Sequence, residues 1–264
     1  MAPVALDDPA ELYHAASKLE PALAALQLAE LRRFAAEPAL RAAASRPVRR
    51  HPYRAASKLP APAWPELSLR DAVNARRSTS QLGGGALSLD DLSLLLAAAS
   101  GITGTIEGPA GTPISGRVAP SGGGLFPLDL YVLPVRCSGL SEGVYRYDPE
   151  RHALEQVAGS PAEGLGNALA RCIYQQELAA SAALVVALVA TFARSRVKYG
   201  PRAYRHVLLE AGHVVQGALV AGAAAGIRTV PLGGYLDREL ERLLGVDGVR
   251  ESVVHAFAAG RDEA

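Results

Sequence analysis

The sequence has few of the residues that mark specialised classes of protein. Its two cysteines, Cys137 and Cys172, form no disulfide framework and lack metal-ligand spacing. A formal net charge of +1 gives no basic surface for nucleic acid. Met1–Ala10 lacks a secretory-signal pattern, and the longest apolar run, Leu178–Phe192, is too short to span a bilayer. We therefore expect a cytoplasmic protein with reduced thiols that binds neither nucleic acid nor a membrane.

Lysine is also scarce. Of the 27 basic residues only three are lysine, namely Lys18, Lys58 and Lys198. A coding bias towards arginine accounts for most of this preference. Lysine can lose its proton when it is buried, whereas arginine stays charged. Each retained lysine is therefore a candidate for a site that needs a titratable amine.

The composition is that of a globular chain with a helical extension. Its 264 residues are 49% hydrophobic, which suits one large domain with its own core. Periodic Ala, Leu and Glu predict helices over Glu11–Leu28 and Ala29–Ala44. Five prolines between residues 45 and 66 predict an extended linker. We expect a helical extension and linker over 1–66 and a main domain over 67–264.

Capping signals predict two helices at the start of the main domain. Ser68 with Asp71 begins a short helix that ends near Arg76. Ser88 with Asp91 repeats the signal before a helix over Leu92–Ala99, which Gly101 ends. The segment Gly104–Gly116 is expected to form a mobile loop.

The rest of the domain mixes strands and helices without strict alternation. A long helix is predicted over Tyr204–Ala225. Runs rich in β-branched residues predict the strands Leu128–Val135, Gly143–Tyr147, Ala183–Ala190 and Ser252–Ala258. This pattern predicts an α+β fold.

Arg76-Arg77-Ser78-Thr79-Ser80 is a candidate anion site. Helical spacing places Arg76 on the same face as the apolar Leu69, Ala72 and Val73. A guanidinium on such a face needs an anion of matching geometry, and phosphate qualifies. An Arg–carboxylate pair, or cations favouring the end of a helix, would explain the same residues.

Two glycine-rich segments are candidates for contact with a flat or anionic ligand. Ser121-Gly122-Gly123-Gly124 precedes a predicted strand, and Gly233-Gly234 follows a short apolar strand at Val230–Leu232. Glycine lets backbone N–H groups approach a ligand closely. Neither segment is a Walker loop or a dinucleotide fingerprint. Ordinary turns remain the alternative for both.

Lys198-Tyr199 precedes a Gly200-Pro201 break and the long helix. A dry pocket moves the pKa of Lys198 towards neutrality, and a neighbouring cation moves the pKa of Tyr199 towards it. A solvated basic loop is the alternative. The long helix contains many Gly and Ala residues, which indicates close packing either within one subunit or across a homodimer.

Taken in order, five segments resemble the SagB-type (McbC-like) dehydrogenases of the nitroreductase superfamily. The resemblance covers about 67–261, with Tyr13-His14 and Ser17-Lys18 similar to an amino-terminal family element. The segments are Arg76-Arg77-Ser78, Pro120-Ser121-Gly122-Gly123, Lys198-Tyr199-Gly200 with Arg202 and Tyr204-Arg205, Leu209-Glu210-Ala211-Gly212-His213, and Pro231-Leu232-Gly233-Gly234. The resemblance implies a nitroreductase-like fold, with a mixed β-sheet flanked by helices. It also implies an intertwined homodimer with FMN at the subunit interface.

The same resemblance implies roles for individual residues. Arg76, Arg77 and Ser78 would hold the FMN phosphate and ribityl chain. Relatives often carry an arginine where Ser80 stands, so Ser80 as a further hydroxyl donor rests on the anion-site pattern. Ser121, Gly122 and Gly123 would lie along the flavin, and Gly233-Gly234 would direct the Gly234 N–H at flavin N5. Arg261 would be a second phosphate ligand. Lys198 and Tyr199 would be the catalytic pair.

Three functions remain open at this point. The first is FMN-dependent oxidation of a thiazoline or oxazoline to the aromatic azole, with Lys198 or Tyr199 as the base. Its substrate would be a small molecule or a peptide-borne or carrier-borne heterocycle, and a biosynthetic complex is a possible partner. The second is NAD(P)H-dependent reduction of nitro compounds or quinones. The third is a non-catalytic docking subunit of a biosynthetic complex.

Overall fold

A computed structural model of the chain describes residues 8–18, 21–44, 56–107 and 113–263. Half of the predicted linker, residues 45–55, lies outside the described residues. So does the middle of the predicted loop, residues 108–112. The remaining part of the linker is tied to the main domain, because a short strand at Ala56–Lys58 pairs with the edge of the central sheet.

The described part of the amino-terminal extension is helical, as predicted, but it contains three helices rather than two. These are α1 (Pro9–Ala16), α2 (Pro21–Ala36) and α3 (Pro38–Ala44). Each begins at a proline. The fixed φ of proline suits the first helical turn, and an N–H group at that position would have no acceptor within the helix. The prolines therefore set boundaries that apolar periodicity did not reveal.

The described residues of the main domain contain seven further α-helices. They are α4 (Leu69–Ala75), α5 (Leu89–Ser100), α6 (Leu165–Cys172), α7 (Gln176–Ser181), α8 (Phe192–Tyr199), α9 (Ala203–Ala224) and α10 (Asp237–Leu244).

Both predicted caps are confirmed. The Ser68 hydroxyl accepts a hydrogen bond from the Asp71 N–H at 3.1 Å. Ser88 and Asp91 form a reciprocal capping box, and α5 ends at Gly101.

A central sheet crosses the middle of the main domain. Numbered in chain order, the strands are β1 (Ala56–Lys58), β2 (Gly84–Gly85), β3 (Ile102–Glu107), β4 (Pro113–Arg117), β5 (Leu128–Pro134), β6 (Gly143–Asp148), β7 (Ala153–Gly159), β8 (Leu184–Thr191), β9 (Arg228–Leu232) and β10 (Glu251–Asp262). The central sheet has the order β1-β7-β6-β5-β8-β10-β2, and β9 pairs with β10. The described ladders are antiparallel, and one parallel bridge joins Leu87 to Cys137.

The structure corrects one predicted loop and adds one long strand. The segment predicted as a loop over Gly104–Gly116 contributes to a hairpin of β3 and β4. Glycine has low strand propensity, so the sequence there does not indicate a strand. The strand β7 was also missed, and it follows β6 through a turn in which the Asp148 carboxylate accepts a hydrogen bond from the Glu150 N–H.

The core lies on both faces of the sheet, and β8 contributes to both. Leu184, Val186 and Leu188 pack in the cluster that includes α5 and α9. Val185 and Val189 pack on the opposite face with α6, α7 and α10. This two-sided burial explains the apolar run noted in the sequence, because a strand buried on both faces has no polar alternation.

The segment Phe192–Ala224, which contains α8 and α9, is long and apolar enough by length and composition to cross a membrane. Half of its most apolar window is buried inside the fold. A helix that packs centrally in a core passes the same test of length and composition. Its apolar character is therefore accounted for by packing against α5, α4 and the sheet.

The glycines of α9 have different surroundings. A Cβ added to Gly217 would collide with the carbonyl oxygen of Ala98 on α5, and one added to Gly222 would meet Thr229 and Leu95. A Cβ at Gly212 would meet nothing within 4 Å. Close packing within one chain therefore explains Gly217 and Gly222, whereas Gly212 lies on an open surface.

We expect Gly217→Ala to lower the free energy of unfolding by about 1–3 kcal/mol, because the new methyl group overpacks the contact with α5. Helix propensity alone would raise it by about 1 kcal/mol. Gly212→Ala is the matched control, and we expect it to be neutral or stabilising. Urea denaturation at a fixed protein concentration measures both. Equal effects of the two substitutions would contradict this account of α9.

Candidate active site

The predicted anion segment forms the loop that follows α4. The helix ends at Ala75, and Arg76 is its C-cap residue with φ −59° and ψ 121°. Arg76 therefore does not extend the helical face of Leu69 and Val73, and that part of the sequence prediction is wrong. The face itself is exposed, since Leu69 keeps 76% and Val73 52% of their accessible surface.

The arginines of this loop are not engaged by carboxylates. Arg76 Nη1 lies 3.5 Å from Ser78 Oγ. Arg77 is exposed, and its Nη1 donates to the carbonyl oxygens of Asn74 at 2.6 Å and Arg76 at 2.9 Å. Neither guanidinium forms an ion pair within the described ranges. A structural Arg–carboxylate pair is therefore not observed among the described residues. The contacts of Arg77 fit the other alternative, a cation at the end of a helix, because Asn74 lies in the last turn of α4.

Two cavities adjoin this loop. One, of about 570 Å³, is lined by Ser78, Thr79 and Ser80 together with 175–178 and 230–232. The other, of about 420 Å³, is lined by Arg77 and Ser78 with 226–229. The structure thus brings the predicted anion loop and β9 together, although more than 140 residues separate them in the chain.

Gly233 and Gly234 continue directly from β9. A Cβ on Gly233 would meet nothing within 4 Å, so its backbone is open to a ligand. The Gly234 carbonyl accepts a hydrogen bond from the Tyr174 N–H at 2.9 Å, and Gln175 lies beside it. This bond fixes the segment next to the cavity that Ser78 and Ser80 line.

The second predicted glycine segment and the Lys–Tyr pair form a separate cluster. Gly123 has φ +66°, and a Cβ there would collide with Lys198 Nζ and the Tyr199 hydroxyl. The absence of a side chain at Gly123 is therefore what lets both groups approach the loop backbone. The Tyr199 ring also lies 5.0 Å from the ring of His206 on α9.

Burial moves the two pKa values of the pair in opposite directions. Desolvation lowers the pKa of Lys198, which favours the neutral amine. Desolvation raises the pKa of Tyr199, which favours the neutral phenol. The Lys198 ammonium lies 5.3 Å from the centre of the Tyr199 ring. Of the two groups, Lys198 is therefore the one whose pKa moves towards neutrality.

Glu210 is a site residue to which the sequence analysis gave no role. It is 6% exposed, and it accepts a hydrogen bond from Ser121 Oγ at 2.7 Å and another from the Gly122 N–H. Burial raises its pKa to about 7, against these hydrogen bonds and the charge of Arg117, which lower it. The signal in the sequence was a carboxylate on the apolar stripe of α9, three residues after Val207 and four before Val214.

The Arg261 guanidinium forms hydrogen bonds with other groups of the protein. Its Nε and Nη2 atoms contact the two carboxylate oxygens of Asp91 at 3.1 and 2.7 Å. It also donates to the carbonyl oxygens of Ala225 at 3.1 Å and Gly226 at 3.4 Å. These contacts join β10 to the start of α5 and the end of α9. The role of Arg261 as a phosphate ligand stays a prediction, with few donors left for it.

The predicted residues thus fall into two groups within one chain. Arg76–Ser80 lie beside Gly233-Gly234, and Ser121–Gly123 lie beside Lys198 and Tyr199. Within the residues that the structure describes, no hydrogen bond joins the two groups, and neither cavity beside Arg76–Ser80 is lined by Ser121–Gly123, Lys198 or Tyr199. The described part of the chain as a whole contains no group of three or more His, Cys, Asp or Glu side chains that could hold a metal ion.

The raised pKa of Glu210 predicts a dependence of stability on pH. A carboxyl whose pKa rises from 4.5 to about 7 on folding binds its proton more tightly in the folded state. The free energy of unfolding should therefore fall by about 3 kcal/mol as the pH rises from 4.5 to 7. Glu210→Gln should remove this fall, as measured by urea denaturation at pH 5 and pH 8. The exposed Glu177→Gln is the control, and an unchanged slope in Glu210→Gln would refute the assignment.

Comparison with known proteins gives three relatives in sequence. MJ1384 of Methanocaldococcus jannaschii, provisionally named a nitroreductase, is 33% identical over 69% of this chain and 86% of its own length. The trifolitoxin-processing protein TfxB of Rhizobium leguminosarum is 27% identical over 67% of this chain and 48% of its own. The microcin B17-processing protein McbC of Escherichia coli is 29% identical over 50% of this chain and 49% of its own length. The chain thus spans about half the length of TfxB and McbC.

Solved structures share the fold. A nitroreductase-like protein of Anabaena variabilis superposes with a TM-score of 0.69 at 24% identity, over 95% of this chain and 45% of its own. One chain of the Escherichia coli microcin synthetase McbBCD, solved with truncated pro-MccB17 bound, superposes with a TM-score of 0.57 at 20% identity. The match covers 96% of this chain and 98% of that chain. A nitroreductase-like protein of Exiguobacterium sibiricum in complex with FMN superposes with a TM-score of 0.51 at 14% identity. The match covers 76% of this chain and 90% of that protein's chain.

The model of the nitroreductase family matches residues 73–261. This range includes α5, the central strands β5 to β10 and both groups of candidate site residues. The match covers well over half of the chain. The chain belongs to the nitroreductase family.

Proposed function

We propose that this protein is an FMN-dependent oxidoreductase of the SagB type. It would oxidise a thiazoline, an oxazoline or a similar C–N heterocycle to the aromatic azole in natural-product biosynthesis. The observation that carries the proposal is the position of Lys198 and Tyr199, whose polar ends lie over the backbone of Gly123 in a partly buried cluster. Two relatives, TfxB and McbC, are named for processing trifolitoxin and microcin B17.

The residues present fit a flavin mononucleotide. The two arginines of the loop after α4 lack a carboxylate partner among the described residues, and with Ser78 and Ser80 they would hold the phosphate and ribityl chain. The open backbone at Gly233 and Gly234 suits the edge of a flat ring. When bound, the flavin supplies the two-electron acceptor for the oxidation.

The chain's own residues would move the proton. Lys198 is partly desolvated, which lowers its pKa and favours the neutral amine that would take the proton from the carbon next to the heterocycle nitrogen. Tyr199 is the neutral hydrogen-bond donor beside it. Glu210 holds Ser121 and the Gly122 N–H, and it thereby fixes the loop on which the pair rests.

The site would be completed by a second copy of the chain. The two groups of candidate residues do not meet within one chain, so an intertwined homodimer would bring together groups from different subunits. An apolar face supports this arrangement: Trp64, Leu69, Val73 and Leu209 keep between 52% and 76% of their accessible surface. A groove of about 400 Å³ beside α9 is lined by Trp64, Leu69 and Val118.

A second function remains in competition. MJ1384, which is provisionally named a nitroreductase, has higher identity to this chain than TfxB or McbC. This favours NAD(P)H-dependent reduction of nitro compounds or quinones as the alternative.

An absorbance spectrum before and after addition of NADPH separates the two functions, because a reductase would lose its flavin band rapidly. Purified protein with no flavin band, even after added FMN, would favour the docking subunit.

We expect Lys198→Ala to retain FMN and to lose azoline oxidation by about two to four orders of magnitude, because the general base is removed. Lys58→Ala is the matched control, since Lys58 is an exposed lysine on β1 at the edge of the sheet. Single-turnover reduction of the bound flavin by a synthetic thiazoline measures both variants. Undiminished turnover in Lys198→Ala would exclude Lys198 as the base.

The homodimer is tested by introducing charge into the apolar face. We expect Leu69→Glu with Leu209→Glu to convert the dimer into monomers and to weaken FMN binding at least tenfold, because a buried unpaired carboxylate at the interface is costly. Leu28→Glu changes an exposed leucine on α2 outside this face and should leave both properties unchanged. Analytical ultracentrifugation gives the mass. A double variant that stays dimeric would contradict this choice of interface.

A further inference from the structure

The amino-terminal extension is attached to the segment that carries the Lys–Tyr pair. Arg202 Nη1 donates to the carbonyl oxygen of Ser17 at 2.6 Å. Arg205 Nη2 contacts the Ser17 hydroxyl and lies 3.4 Å from the carbonyl oxygen of His14. Ser17 is only 3% exposed. The end of α1 is therefore fixed to the residues that immediately follow Lys198 and Tyr199.

Aromatic contacts strengthen this attachment. The ring of Tyr13 on α1 meets the ring of Tyr204 edge-on, with centres 5.3 Å apart. Tyr204 in turn stacks on Phe192, the first residue of α8, with centres 4.9 Å apart. These pairs place α1 against both α8 and the start of α9.

The helix α2 covers the Lys–Tyr pair directly. Phe34 is 3% exposed and packs with Leu125, Val197 and Tyr199. The centre of its ring lies 5.5 Å from Lys198 Nζ. The extension is therefore part of the wall around the catalytic pair, and it contributes to excluding water from the Lys198 amine.

Between this wall and α8 lies a cavity of about 880 Å³, which reaches Tyr199. Leu26 and Ala29 of α2 form one side, and Phe192 and Val197 of α8 form the other. Four cationic residues line it, namely Lys18, Arg196, Arg202 and Arg250, against one carboxylate, Glu30. Lys18, Arg196 and Arg250 form no ion pair with any residue in the described parts of the chain.

We propose that this cavity, which we call the extension cavity, binds the portion of the substrate that carries a carboxylate on an apolar body, with the heterocycle held at Tyr199. The inference rests on the proposed function for the role of the Lys–Tyr pair. Its own basis is the apolar sides of the cavity and the excess of three positive charges over its lining. Such a lining favours an amphipathic anion, because the apolar body is desolvated while the carboxylate meets cations at the rim.

The test uses the flavin-loaded full-length protein and 8-anilinonaphthalene-1-sulfonate, a fluorescent probe with an apolar body and one anionic group. We expect saturable binding that the double variant Arg196→Glu with Arg250→Glu weakens about tenfold, because two rim cations become anions. Ala29→Trp projects an indole ring into the cavity and should weaken the same component. Arg32→Glu reverses one exposed charge on α2 outside the cavity and should change binding less than twofold.

The outcomes separate this proposal from the proposed function. A double variant that binds the probe no more weakly than Arg32→Glu overturns the extension cavity, and so does full binding by Ala29→Trp. Circular dichroism and retained flavin absorbance establish that each variant is folded. Failure of the wild type to oxidise any azoline would overturn the proposed function instead, and it leaves the result with the probe unaffected. Where oxidation is observed, the double variant should raise KM about tenfold with kcat within threefold of wild type.

Discussion

The contact between Glu210 and the glycine-rich loop is the interaction on which the rest of the site depends. Glu210 lies on the core face of α9, and it binds the Ser121 hydroxyl and the Gly122 N–H from a position with almost no solvent. The Ser121 hydroxyl also accepts the Phe126 N–H at 2.9 Å, where the loop turns towards β5. A buried carboxyl needs such partners, and here the partners are the loop that supports Lys198 and Tyr199.

This arrangement couples the core to the chemistry. The helix α9 is held against α5 and β9 by contacts that only glycine permits, at Gly217 and Gly222. Any displacement of α9 would move Glu210, and with it the loop that the Lys–Tyr pair touches. Packing precision in the core therefore sets the geometry of groups that are themselves near the surface. The proposed flavin site on the other group of residues would gain its precision in the same way, from β9 and α4.

The amino-terminal extension gives the fold a second layer over one part of this site. Its helices are held by main-chain acceptors at the end of α1 and by aromatic packing, rather than by a continuation of the sheet. Such a layer can change between relatives without altering the central domain. In this chain it adds Phe34 to the surroundings of Lys198 and bounds a cationic cavity outside the α+β framework.

The sequence by itself determined the helices with caps, the buried strands, and the nitroreductase-like fold through its five motifs in order. Such features depend on neighbours within a few residues, as in the capping box of Ser88 and Asp91. Only the tertiary structure decided what distant segments do to each other. It ended α4 before Arg76, engaged Arg261 with Asp91, and buried Glu210 beneath Ser121. The apolar stripe of α9 indicates that Glu210 is buried, but its hydrogen-bond partners come from a segment far away in the chain, and local pattern does not identify them.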